Sequence, residues 1–148
     1  MPHAGLMDAD ALGPEAAALQ QAKLHIRGGR RRLRQGKIAA GIVTLYDALG
    51  SAMHWYVLGP ERRKSLRVEE GERLDDEKTL YSLLTRSDVL DGKFDYASFD
   101  ALVEKALHEE LPGYDYSGLL SDFESVMVQL GVLPFDEAEL PPEDPSTY

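Results

Sequence analysis

Residues 37–58 read KIAAGIVTLYDALGSAMHWYVL, and the periodicity of this stretch decides the fold. Ile38, Ile42, Leu45, Leu49, Ala52 and Tyr56 recur at the spacing of one helix face. Ala39, Val43, Tyr46, Gly50, Met53 and Val57 form a second apolar line beside the first, so the apolar arc is wider than one neighbour can cover. The expectation is a central helix, about 33 Å long at about 1.5 Å per residue, contacted on two or three sides. Its one polar row is Thr44, Asp47, Ser51 and His54. A membrane span needs about 20 apolar residues, and Asp47 and His54 within the stretch argue against one. No membrane association is expected. Gly41 and Gly50 each give up about 1 kcal/mol of helix propensity relative to Ala, for which the expected return is close approach of a neighbouring backbone.

Outward from this helix, the flanks read as more helices. Pro14 and Glu15 suit a helix start, with Pro at the first position and an acid in the first turn. Leu19, Ala22, Ile26 and Leu33 then give a thin apolar stripe, and Gly28-Gly29 either weakens the helix or breaks it. Gly36 is the expected turn into the central helix, which makes the two an antiparallel hairpin. Gly29, Gly36, Gly41, Leu45, Ala48 and Leu49 fall near the small and apolar positions of a tetratricopeptide unit, and over about one repeat the pair resembles that family. Arg32 and Met53 stand where that repeat has an aromatic and a proline, and no second copy follows, so a solenoid is not expected. Helical bundles of the HEPN type are a second comparison, without the Arg-x4-6-His signature of their nucleases.

Gly59-Pro60 ends the central helix. The charged run after it is expected to hold at most a short helix. Asp75 or Asp76 is placed to cap a helix carrying Leu80, Leu83 and Leu84. Asp91-Gly92 is a turn that a short hairpin could flank. Further helices are expected from Asp95 or Ser98 up to Pro112-Gly113, and from Tyr116 to Leu130 with Gly131 as its cap. The fold class is therefore all-α, a single-domain antiparallel bundle of four to six helices around a long central helix. Residues 1–13 read as a flexible leader, 14–133 as the bundle, and 134–148 as an acidic, proline-rich tail, disordered or draped on the domain.

Composition narrows the chemistry. The 148 residues contain no cysteine, which excludes disulfides, thiolate zinc sites and cysteine nucleophiles. The first residues hold no basic segment followed by an apolar run, so no signal peptide is expected and the expected location is the cytoplasm. The net charge of −10 is unevenly spread. Residues 1–68 carry eleven Lys/Arg against five Asp/Glu, a balance of +6, whereas residues 69–148 carry five against 21, a balance of −16. Such a division predicts either a two-sided surface or two halves that neutralise each other.

No constellation specifies a reaction. Asp47 and His54 share a helix face and would act as acid and base in a cleft, but they lie about 10 Å apart along the axis. Their alternative role is the solvated edge of a packed helix. Asp100, Glu104 and His108 align at i, i+4 and i+8, yet a bundle metal site wants inward ligands from other helices too. No metal and no cofactor are expected. Arg27, Arg30, Arg31, Arg32, Arg34 and Lys37 are the densest basic tract, suited to phosphate contact on RNA or DNA together with Arg62, Arg63, Lys64 and Arg67, or to pairing with the acidic half. The leading expectation is a non-catalytic helical interaction or adaptor protein, a homodimer in its simplest form, with Trp55, Tyr56 and Tyr114 as interface anchors. Nucleic-acid binding through the arginine tract is the second expectation. A small enzyme using Asp47 and His54 is the third.

Overall fold

The computed structural model describes residues 12–147. The helices whose bounds lie within the described residues are α1 (Pro14–Arg34), α2 (Ile38–Leu58), α3 (Pro60–Arg63), α4 (Glu77–Arg86), α5 (Tyr96–Ala106) and α6 (Ser117–Leu130). Two 3-10 turns follow, at Glu137–Glu139 and Pro145–Thr147, and no strand occurs among the described residues. The chain is all-α, and α2 is its hub, touched by α1, α3, α4, α5 and α6. The width of its apolar arc explains this. Ile42, Leu45, Ala48, Ala52 and Met53 are wholly buried and Leu49 is 1% exposed, although they point to several sides of the rod.

α1 runs through Gly28-Gly29 without a break. Both glycines are buried, Gly28 beneath the Arg32 side chain and Gly29 by the packing against α2. A Cβ on Gly29 would lie 2.6 Å from Leu45 Cδ2, and one on Gly41 would lie 2.8 Å from Leu33 Cδ2. Each helix therefore offers a glycine notch to a leucine of the other, in a register that makes α1 and α2 antiparallel. Gly50 behaves otherwise. The group over it is the Glu77 side chain, with Oε1 3.2 Å from where a Cβ would sit, so the backbone approach expected there gives way to a carboxylate.

Two of the later helices, α4 and α5, begin on side-chain caps. Asp76 accepts from the Thr79 amide at 3.0 Å and Asp95 from the Ser98 amide at 3.0 Å, each satisfying an amide that the first turn leaves without a partner. Gly131 closes α6 at φ 88°. The hairpin allowed around Asp91-Gly92 is not formed. Its backbone groups are taken by side chains: the Asp91 amide donates to Gln129 at 2.8 Å, and the Tyr81 hydroxyl donates to the Phe94 carbonyl at 2.6 Å. The charged loop after α3 is pinned by Arg86, which reaches the Arg67 carbonyl at 2.7 Å and Glu72 at 2.6 Å. Residues 134–147 lie against α1, with Lys23 over the Phe135 ring and Leu140 beside Ala16 and Leu19.

Candidate functional site

Two features on α1 and α2 gather the polar side chains singled out in the sequence. The first is the arginine tract. Arg31 Nε donates to Glu143 at 2.7 Å, with both side chains 11% exposed, and Arg27 Nε sits 3.4 Å from the other oxygen of the same carboxylate. Arg30 bonds Glu124 on α6 and reaches Glu137 at 3.3 Å. Arg32 turns toward α2, its Nη1 3.5 Å from the Thr44 hydroxyl, and Arg34 and Lys37 are exposed at the end of the hairpin. Burial and the neighbouring Arg31 hold the Arg32 guanidinium below its ordinary pKa.

Among the outlying basic residues, Arg63, Lys64 and Arg67 are exposed. Arg62 is spent on the end of α2, donating to the carbonyls of Trp55 at 2.7 Å and Tyr56 at 3.1 Å, lying 3.9 Å over the Trp55 ring and pairing with Glu15 at 2.7 Å. It supplies acceptors' partners where Pro60 cannot. Arg67 pairs with Asp88, and Lys64 with Glu61. Trp55 and Tyr56 are half-buried against the core, whereas Tyr114 is 37% exposed.

The second feature is a cleft of about 450 Å³. Thr44, Asp47, Ser51 and His54 all line it, so the polar row of α2 faces a concavity. α1 contributes Gln21, His25 and Arg32 to the opposite wall, and α4 contributes Glu77 through the gap at Gly50. Partial burial and the nearby Glu77 carboxylate raise the Asp47 carboxyl above the usual aspartate range. Tyr46, also in the lining, is held at its hydroxyl, 3.3 Å from that of Tyr96 and 3.2 Å from Asp100. The Asp47 neighbour with electrostatic weight is thus Glu77, and no hydrogen bond joins Asp47 to His54 among the described residues.

Gln21, His25 and Glu77 were missed in the sequence because each belongs to another helix. For α1 the signal was present: Gln21, His25 and Arg32 stand at the i, i+4 and i+11 positions of one face. Asp100, Glu104 and His108 are all exposed, with His108 Nε2 3.2 Å from Glu104 and Asp100 bonded to Tyr46. Among the described residues no group of three His, Cys, Asp or Glu is placed to hold a metal ion. No helix is long and apolar enough to cross a membrane among the described residues. Comparison with known proteins finds no matching family model, no matching curated protein and no matching solved structure.

Proposed function

We propose that the chain is a non-catalytic helical adaptor that binds protein, with the arginine face of α1 as a receptor for acidic segments. The observation that carries this reading is the use of Arg27, Arg30 and Arg31 on carboxylates from two distant parts of the chain, Glu124 on α6 and Glu137 and Glu143 beyond it. Arginine forks fit carboxylates well, and the tail offers them on an extended, proline-flanked strip, PPEDP. A tethered segment competes at millimolar effective concentration for a short linker. The tail therefore holds the face against weak ligands and yields it to a stronger acidic partner or to the tail of a second copy. Nucleic acid is the less favoured ligand, because phosphates would have to displace three carboxylates while approaching a chain of net charge −10.

The test uses the full chain and its E137Q/E143Q variant, with a labelled peptide of residues 134–148 and short RNA and DNA as probes. The variant is expected to bind the peptide, the wild type to bind it less tightly, and further substitution of Arg30 and Arg31 by Gln to abolish binding. Failure of the folded E137Q/E143Q variant to bind the peptide overturns the reading. A nucleic-acid complex that weakens steeply with salt and disappears in the R30Q/R31Q/R32Q variant replaces it. Light scattering on the same samples reports self-association.

A further inference from the structure

We propose that Arg27 and Arg31 form a site for a phosphomonoester carried on a segment of a partner protein, and that Glu143 of the tail occupies this site as a carboxylate stand-in. The inference deepens the adaptor reading and rests on it. Arg27 and Arg31 stand at i and i+4, so both guanidinium groups leave one face of α1. Gly28 lies between them in the chain: a Cβ there would sit 3.9 Å from Glu143 Oε1 and 2.9 Å from Arg32 Nη1. The missing side chain lets an anion settle low against the helix, with a third guanidinium at its edge. The seat is closed as well as charged, since Arg27 is 9% exposed and the Arg31 and Glu143 side chains are each 11% exposed.

The carboxylate satisfies this seat only in part. Its Oε2 accepts from Arg31 Nε at 2.7 Å. Oε1 lies 3.4 Å from Arg27 Nε, an ion pair without a hydrogen bond, and Arg27 Nε and Nη2 are both buried with no hydrogen-bond acceptor among the described residues. Those two nitrogens carry the parallel N–H groups on one edge of the guanidinium, the fork that takes two oxygens of one anion. Burying such donors unmet is costly. A carboxylate has two oxygens, and here one already serves Arg31. A phosphomonoester has three and carries a charge of about −1.5 to −2 at neutral pH, so one oxygen meets Arg31 while two meet the Arg27 fork. The tail also marks the path of the segment. Leu140, three residues before Glu143, rests beside Ala16 and Leu19, which sets an apolar residue at that spacing before the phosphorylated one.

Fluorescence anisotropy on the full-length E137Q/E143Q chain tests it, with labelled peptides of residues 134–148 carrying either Glu143 or phosphoserine in its place, and free O-phosphoserine as a competitor. The phosphopeptide is expected to bind at least about tenfold more tightly, the effect of one further charge-assisted hydrogen bond. In phosphorus NMR the bound phosphate is expected to titrate below the second pKa of the free group, about 6. R27K keeps the charge and loses the fork, so it should abolish the preference while the Glu143 peptide still binds. R73Q, altered at an exposed arginine in the loop before α4, keeps the preference. Equal affinity for the two peptides overturns this inference and leaves the adaptor reading standing, whereas failure of both to bind overturns the two together. A preference that survives in folded R27K, or that R73Q removes as fully, also overturns it. So does O-phosphoserine competing as well as the phosphopeptide, which assigns the site to a small phosphate ester. Circular dichroism checks folding, and should R27K unfold, the phosphorus titration decides: an unshifted phosphate pKa rejects the site.

Discussion

Gly29 and Gly41 show how a single missing atom sets the distance between two helices. The seats they give Leu45 and Leu33 leave no room for a methyl group, since an added Cβ would lie at 2.6 Å and 2.8 Å from those side chains. Overpacking of a closed core costs about 1–3 kcal/mol, against a propensity gain of about 1 kcal/mol for replacing glycine. Gly29→Ala and Gly41→Ala are therefore expected to lose stability in urea unfolding. Gly118, helical with nothing within 4 Å of its added Cβ, is the control: Gly118→Ala should gain up to about 1 kcal/mol. Asp47 gives a second prediction at this scale. Its folded-state pKa is raised, so the folded chain holds the proton more tightly than the unfolded one, and ionisation of Asp47 opposes folding. Stability from this group is greatest at pH below the ordinary aspartate value and falls as pH rises through the raised one. Asp47→Asn should remove that decline, which unfolding midpoints from pH 3 to 7 will show, roughly the range spanned by carboxyl titration.

At the scale of the element, caps and pairings decide where helices begin and where the tail rests. Asp76 accepts hydrogen bonds from the Thr79 hydroxyl and amide, and Asp95 from the Ser98 amide and hydroxyl, in the charged form, which holds both carboxyls below their usual range. Their contribution is present above the ordinary aspartate pKa and is lost as pH falls through the depressed one. Asp76→Ala and Asp95→Ala should each lower the thermal midpoint at neutral pH and matter less in acid. Glu143 is different, because it is shut in with Arg31 and Arg27. Removing one partner of a buried pair costs about 3–5 kcal/mol where nothing can relax. Here the tail can lift and let water reach the arginines, so Glu143→Gln should leave the urea midpoint of the domain nearly unchanged while protease cleavage within residues 134–147 quickens.

The helices were legible because their signals are local: apolar period, capping aspartates and Gly-Pro stops lie within a few residues of what they specify. The central position of α2 followed from the excess of its apolar surface. The α1 stripe was read too narrowly, since Leu24 and Ile26 are both wholly buried though they point to different sides, and only contact with other elements can bury both. The cleft was half legible. The row Thr44, Asp47, Ser51 and His54 stood out on α2, whereas Glu77 reaches it across 30 residues of sequence through a gap that glycine alone announces. The destination of the arginines was not legible, because charge complementarity names a partner's sign and never its address.

For the molecule as a whole, the charge division between the halves is met in part by pairing. Arg27, Arg30 and Arg31 from the basic half pair with Glu124, Glu137 and Glu143 from the acidic half, and these contacts fasten the last part of the chain to α1. The core is shared in the same way. Leu49, 1% exposed in the middle of α2, belongs to the one apolar cluster that draws on α1, α4, α5 and α6. Leu49→Ala should cost about 2–5 kcal/mol in a single unfolding transition seen alike by fluorescence and circular dichroism. Two separate transitions would contradict a shared core.

A helix that touches all the others cannot open by itself. Removing α2 strips the buried face from every neighbour, so its amide protons have no local route to solvent and must wait for the complete denaturation of the chain before they exchange with deuterium. The clock of the slowest amides in Leu45–Met53 thus reads the lifetime of the entire native state.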